Sequence, residues 1–154
     1  MDLVALIRQV IALLENLAQT KEIQLTLKSR NETTLLSADE NELKQLFMNL
    51  LLNSIEATPR GGSVEVSLEE ASDSKLCVSV SDNGLGIPPE RLGKIFQPFF
   101  TTKKAGTGLG LATCKRIVLD HGGEIRVESE VGKGTRFHID FPLNRIVPMS
   151  LVGR

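Results

Sequence analysis

FMNLLLNSIEA, residues 47–57, has the apolar content of a buried helix, yet it carries two asparagines four residues apart on one side. At about 100° per residue, Leu43, Leu46, Phe47, Met48, Leu50, Leu51, Leu52 and Ile55 spread around most of the circumference. The polar residues Glu42, Gln45, Asn49, Asn53 and Glu56 fall into one narrow stripe. Asparagine is a mediocre helix former, because its short amide competes for backbone hydrogen bonds. A solvated stripe usually carries Lys, Glu or Arg. Two readings are open: the stripe faces water, or it lines a polar cleft. In a cleft, Asn49 and Asn53 would offer hard neutral oxygens of the kind that suit Mg²⁺, which takes few protein ligands and completes its shell with water and phosphate.

Working outward, the helix starts at Ser37 or Asp39 and runs to about Thr58, where PRGG breaks it. Upstream, residues 3–18 have helical apolar spacing and Asp2 as a cap, EIQLTLKS (22–29) alternates as a strand, and TTLLS (33–37) reads as a short partner strand. Downstream, 63–70 and 75–82 alternate as two strands, and 83–107 is a long Gly- and Pro-rich loop with the aromatic knot IFQPFF. A third helix is expected from Thr107–Gly108 to His121, followed by a hairpin around VGKG. Strand pairs dominate and helical crossovers are few. The order therefore predicts an α+β two-layer sandwich, a mixed sheet covered on one face by about three helices. Residues 1–143 form one domain, and 144–154 are an apolar, unpatterned tail that is either disordered or docks on a partner.

Composition narrows the function classes. A net charge of −1 gives no global pull toward nucleic acid or an anionic membrane, and the absence of Trp and Tyr argues against base-stacking surfaces. No unbroken apolar run of membrane-spanning length and no signal-peptide pattern is present. Cys77 and Cys114 give neither metal spacing nor a disulfide framework, which suits a reducing, cytoplasmic setting.

Two glycine loops carry the remaining chemistry. Asp82 ends a strand, and Gly84 and Gly86 follow it in SDNGLGI; a carboxylate there can accept a hydrogen bond from an amino group such as that of adenine, or the motif is a plain turn. In KKAGTGLGLATCKR, Gly106, Gly108 and Gly110 run into a helix whose free N–H groups suit phosphate, with Lys103 and Lys104 just upstream. The spacing of a dinucleotide fingerprint and the Gly-Lys-Ser/Thr of a P-loop are both missing. Phe96, Phe99 and Phe100 either anchor the long loop or belong to a hinged lid.

Taken together, these motifs resemble the catalytic, ATP-binding domain of sensor histidine kinases. NELKQLFMNLLLNSIEA is similar to the N box, DNGLGI to the G1 box, IFQPFFTTK to the F box, GTGLGL to the G2 box and GKGT to the last glycine box. With NSIEA and PFFTTK the flavour is similar to the nitrogen-regulation type. The resemblance implies the Bergerat ATP-binding fold, with ATP and Mg²⁺ as cofactors. It implies Asn53 as the metal-binding asparagine, with Asn49 one turn earlier sharing that duty. It implies Asp82 as the adenine-reading carboxylate, and Gly84, Gly86 and Ile87 as shaping the adenine pocket. Lys103, Gly106, Thr107, Gly108, Leu109, Gly110 and Leu111 would meet the triphosphate, and Thr135 would join the adenine-side water network.

Hydrolysing relatives and the related serine kinases place a Glu where this chain has Asn49, and an amide cannot take a proton. The resemblance therefore implies phosphoryl transfer to histidine, on a separate dimerisation domain that indirectly serves a response regulator. The rivals are a regulatory module that binds ATP without turnover and an ATP-hydrolysing member of the fold. His121 and His138 are not expected to be the acceptor, so the chain reads as a catalytic half without its substrate domain. No nucleic acid or membrane contact is implied.

Overall fold

The computed structural model describes residues 1–71, 74–100 and 110–142. Its elements are α1 (Leu3–Thr20), β1 (Gln24–Ser29), α2 (Glu40–Ala57), β2 (Ser63–Ala71), β3 (Lys75–Asp82), α3 (Pro89–Leu92), α4 (Gly110–Asp120), β4 (Glu124–Glu130) and β5 (Gly134–Pro142). The strands form one sheet in the order β1-β2-β3-β5-β4. β1 and β2 are parallel, and the other neighbours are antiparallel. A parallel pair needs a crossover, and α2 supplies it.

The register sorts the inner face of the sheet into rows. One row runs Leu27–Val66–Val80–Phe137–Val127, and the next runs Ser29–Leu68–Val78–Ile139–Ile125. These rows, with Leu76 and Phe141, meet the buried sides of α1, α2 and α4. At the other end of the same face the row is Leu25–Val64–Asp82–Thr135–Ser129. The period-2 alternation that builds the core thus also drives a carboxylate and two hydroxyls inward at one edge.

Two of the helices are capped as their sequences suggest. Asp2 Oδ1 accepts from Val4 N at 3.1 Å, and Asp39 Oδ1 accepts from Glu42 N at 3.0 Å. α1 is long and apolar enough, by length and composition, to cross a membrane. In this fold Leu3, Val4, Leu6, Ile7, Val10, Leu14 and Ala18 of that helix are buried in the core.

The structure departs from the expected elements in two places. TTLLS is not a strand of the sheet; it makes an isolated bridge, Asp2 with Leu35. Its backbone is taken by the start of the chain instead: Leu3 N donates to Thr34 O (2.7 Å), Leu36 N to Met1 O (2.8 Å), and Thr34 N to Asp2 Oδ1 (2.9 Å). One strand, not two, therefore precedes α2. A four-residue helix, α3, stands inside the long loop behind Pro88 and Pro89. Residues 143–154, and with them the expected tail, lie outside the described residues.

The C-terminal end of α2 has no basic residue of its own. Lys21, the C-cap of α1, fills that role from across the fold: its Nζ donates to Ile55 O (2.7 Å) and to Glu56 O (2.9 Å). An ammonium there satisfies orphan carbonyls and opposes the negative end of the helix dipole. Lys21→Met keeps the apolar stem and removes the charge. It is expected to cost about 1 kcal/mol in urea unfolding, and an unchanged midpoint would show that the contact carries no energy.

Candidate functional site

Asp82 is the centre of the polar row. Its Oδ1 accepts from Gly84 N (2.9 Å) and from Thr135 N (3.2 Å). Its Oδ2 is buried and has no hydrogen-bond partner among the described residues, and the same holds for Ser54 Oγ on the buried side of α2. Burial pushes the Asp82 carboxyl above the ordinary carboxylate value; the N–H groups of Gly84 and Thr135 oppose this, and Ser54 helps without a bond of good geometry. A buried acceptor oxygen without a donor is costly unless something donates to it. The exocyclic amine of adenine is such a donor, so this pocket fits the base that the motifs imply.

The loop after Asp82 is fastened on both sides. Leu85 N donates to Ala57 O at 3.0 Å, and Gly132 N donates to Leu85 O at 2.8 Å. A side chain at Gly84 would collide with Ala57 O at the end of α2. Gly86 has φ +79°, and a Cβ there would strike Glu130 O. The two glycines thus let the loop approach the protein's own backbone, beyond any approach to a ligand. Ile87 N donates to Ser129 Oγ (2.7 Å), which also bonds Thr135 Oγ1 (2.8 Å). Thr135, buried between Asp82 and Ser129, links the loop to the carboxylate.

The asparagine stripe is not uniformly wet. Gln45 and Glu56 are exposed, whereas Asn49 and Asn53 between them are half-buried. Asn49 Nδ2 donates to Gly110 O on α4 at 3.4 Å, which leaves its amide oxygen as the acceptor. Among the described residues no cluster of three or more His, Cys, Asp or Glu could hold a metal. Amide oxygens beside a phosphate-bearing ligand are the donor set that fits Mg²⁺ here, because that ion keeps water and phosphate in most of its positions. Gly110 opens α4, and Leu111 packs partly into the core. Lys103, Gly106, Thr107, Gly108 and Leu109, and with them the C-terminal part of the expected 88–107 lid, lie outside the described residues.

The aromatic knot divides its work. Phe96 meets Phe137 edge-on at 6.2 Å and lies under Lys115 Nζ at 5.8 Å, while Phe100 packs against the core. Phe99 is 74% exposed with φ +67°. Two members anchor the loop, and the third faces outward.

The remaining titratable groups near α4 are chemically quiet. Cys114 is buried, which pushes its thiol up to about 12, against the contacts with Asn49 and its own backbone that lower it. His121 is 7% exposed, and both ring nitrogens are engaged: Nδ1 with Ile117 O at 2.8 Å and Nε2 with Asp39 N at 3.1 Å. A carbonyl can only accept and an amide N–H only donate, so the ring is the neutral Nδ1–H tautomer. His138 pairs with Glu128 on the sheet face opposite to Asp82. Neither histidine is brought to the asparagines.

Ser54 and Ser129 were not legible as site residues. Each carries one weak signal: a hydroxyl at a position whose periodicity demands an apolar side chain. Ser54 sits one turn beyond Leu50 and Leu51, and Ser129 follows Ile125 and Val127 at period two.

A family model described as histidine kinase-, DNA gyrase B- and HSP90-like ATPase matches residues 38–145. The chain belongs to this family, and its fold is that of histidine kinase catalytic domains. It is 44% identical over 140 residues to sporulation kinase C of Bacillus subtilis (strain 168), covering 90% of this chain and 32% of that protein. The nucleotide-free catalytic domain of histidine kinase ThkA matches with a TM-score of 0.84 at 40% identity, covering 92% of this chain and 93% of that one. Full-length ShkA in complex with AMPPNP matches with a TM-score of 0.82 at 30% identity, covering 92% of this chain and 30% of that one. The chain thus spans about a third of the length of sporulation kinase C.

The Asp82 environment has a consequence for pH. A carboxyl whose folded pKa lies above its ordinary value of 3.8 is harder to ionise when folded than when unfolded. Its contribution to stability is complete below 3.8 and is lost as pH rises through the folded pKa. Asn at position 82 keeps an Oδ1 acceptor for the Gly84 and Thr135 N–H groups and removes the ionisation. Asp82→Asn should therefore gain stability on the parent chain as pH rises above about 4 in denaturant titrations. A stability difference that stays flat with pH would place the carboxyl in a wetter setting than described.

Proposed function

We propose that this domain binds ATP with Mg²⁺ and transfers the γ-phosphoryl group to a histidine on a separate dimerisation domain, as the kinase half of a cytoplasmic two-component sensor that serves a response regulator. The observation that carries the reading is the buried, unpartnered Asp82 Oδ2 beside Ser54 Oγ at the polar end of the sheet's inner face. Residues 1–143 are taken as the catalytic domain and 144–154 as a tail outside it.

In this reading Asp82 accepts from the adenine amine, with Ser54 and Thr135 at its side and Gly84, Gly86 and Ile87 closing the pocket. Asn53, with Asn49, would hold the magnesium ion, which when bound supplies charge neutralisation at the phosphates. Gly110 and Leu111 open the helix whose N-terminus faces the phosphate end, and Lys103, Gly106, Thr107, Gly108 and Leu109 complete that end. Asn49 holds α4 through Gly110 O and offers no base. A neutral imidazole is already nucleophilic, so the domain's task is to orient the phosphate and exclude water.

The test is incubation of the chain with γ-labelled ATP and a separate histidine-bearing dimerisation domain. Acid-labile, base-stable label on that domain is expected; free phosphate without it would mean hydrolysis, and binding with neither product would mean a regulatory module. Asn53→Ala should abolish Mg²⁺-dependent transfer, and transfer at the parent rate would remove Asn53 from the metal site. Asp82→Asn should lower the preference for adenine over guanine nucleotides by about 1–3 kcal/mol in competition binding. An unchanged preference would take Asp82 out of base recognition.

A further inference from the structure

α2 and α4 lie antiparallel, and a ladder of contacts among the described residues joins them in step. Asp39 N donates to His121 Nε2 (3.1 Å), Arg116 reaches Glu42 (3.4 Å), Cys114 Sγ donates to Leu46 O (3.7 Å), and Asn49 Nδ2 donates to Gly110 O (3.4 Å). Moving one turn along α2 moves about one turn back along α4. The rungs are not of equal weight. The Arg116–Glu42 pair is largely exposed and worth little. The thiol is a weak donor, and the Asn49 bond is long.

The His121 ring is buried and engaged at both nitrogens, one to Asp39 N across the seam and one to Ile117 O within α4, and it stands edge-on to Phe141 at 6.5 Å. It also replaces a familiar device. Asp39 and Glu42 have the spacing of a capping box, in which the residue at the third helical position reaches back to the cap's own N–H. Here Arg116 draws on Glu42, and His121 takes the Asp39 N–H instead.

We infer that His121 is a positioning residue for the phosphate end of the site. It fixes the register of α4 against α2 from the far end of the helix pair, and so sets where Gly110 and Leu111 stand relative to Asn49 and Asn53. The inference rests on the ATP-binding reading above. A helix is stiff along its axis, and α4 spans about 15 Å, so a slip at His121 is delivered to its first turn. A misplacement of about 1 Å at reacting groups costs on the order of a hundredfold. The adenine end, held by Asp82, Thr135 and Ser129 on the sheet, would not share the error.

The experiment compares His121→Leu, His121→Asn and His121→Gln with the parent chain. Asn can replace the Nδ1 bond to Ile117 O but does not reach Asp39; Gln can reach Asp39 with its amide oxygen. Calorimetric titration with Mg²⁺-ATP and Mg²⁺-ADP should show about a tenfold loss of ATP affinity in the Leu and Asn variants. ADP affinity should change about twofold at most, and Gln should restore ATP binding. Amide exchange at Leu111 and Ala112 should rise in the Leu and Asn variants and not in Gln. Equal loss of ATP and ADP, parent-like binding in the Asn variant, or unchanged exchange in α4's first turn would overturn the inference. Should the Leu variant not fold, the contrast between Asn and Gln decides. Should the parent chain bind no nucleotide, the functional reading fails, and the exchange contrast still judges the latch.

Discussion

The structure is organised around one uncomfortable carboxylate. Asp82 occupies the inner face of the sheet, in line with Leu76, Val78 and Val80, where an apolar residue would serve stability better. Two backbone amides hold one of its oxygens, and the other is left buried without a hydrogen-bond donor among the described residues. The surrounding geometry follows from keeping it there. The end of α2 must come close enough for Ala57 O to receive Leu85 N, so position 84 admits no side chain. The β4–β5 turn must close over Leu85 O, so residue 86 takes a left-handed backbone against Glu130. Ser129 and Thr135 then tie the loop to the sheet. Such a site gives up folding stability for a preformed acceptor, the usual sign of a group kept for binding.

The sequence was most legible where local and tertiary forces agree. α2 could be read from its apolar spacing, its Asp39 cap and the PRGG break, and β2, β3, β4 and β5 from clean alternation bounded by turn residues. TTLLS was misread because alternation does not say which partner a segment will find. Its Thr34 and Leu36 backbone groups are satisfied by Met1, Asp2 and Leu3, not by a strand. Likewise nothing in QLTLKS reveals that it pairs parallel to β2, because strand direction follows from the crossover through α2 and not from the residues of either strand. At the site, Asp82, Asn49 and Asn53 stood out because each is polar in a conspicuous place. Ser54 and Ser129 did not, since a single small hydroxyl hides within an apolar period.

α2 shows how the demands on one helix are reconciled. One side buries Leu43, Leu46, Phe47, Leu50, Leu51 and Ile55. A second presents Asn49 and Asn53, and a third forms the seam with α4. Asparagine meets the last two demands together. As Asn49 it donates to Gly110 O and still has an oxygen to offer, which a carboxylate at that position could not do, having no N–H to give. The same substitution removes the one group in the stripe's middle that could accept a proton. Nearby Cys114 stays a neutral thiol because it is buried, and His121 has both nitrogens committed. Asn49, Cys114 and His121 on the described seam are therefore donors, acceptors and anchors rather than bases. Catalysis built from such parts, as proposed, would work by placement, and placement is only as good as the register of α4 on α2. If the asparagines hold the ligand as proposed, that is the physical reason a buried histidine at the far end of the helix pair would serve the site together with them.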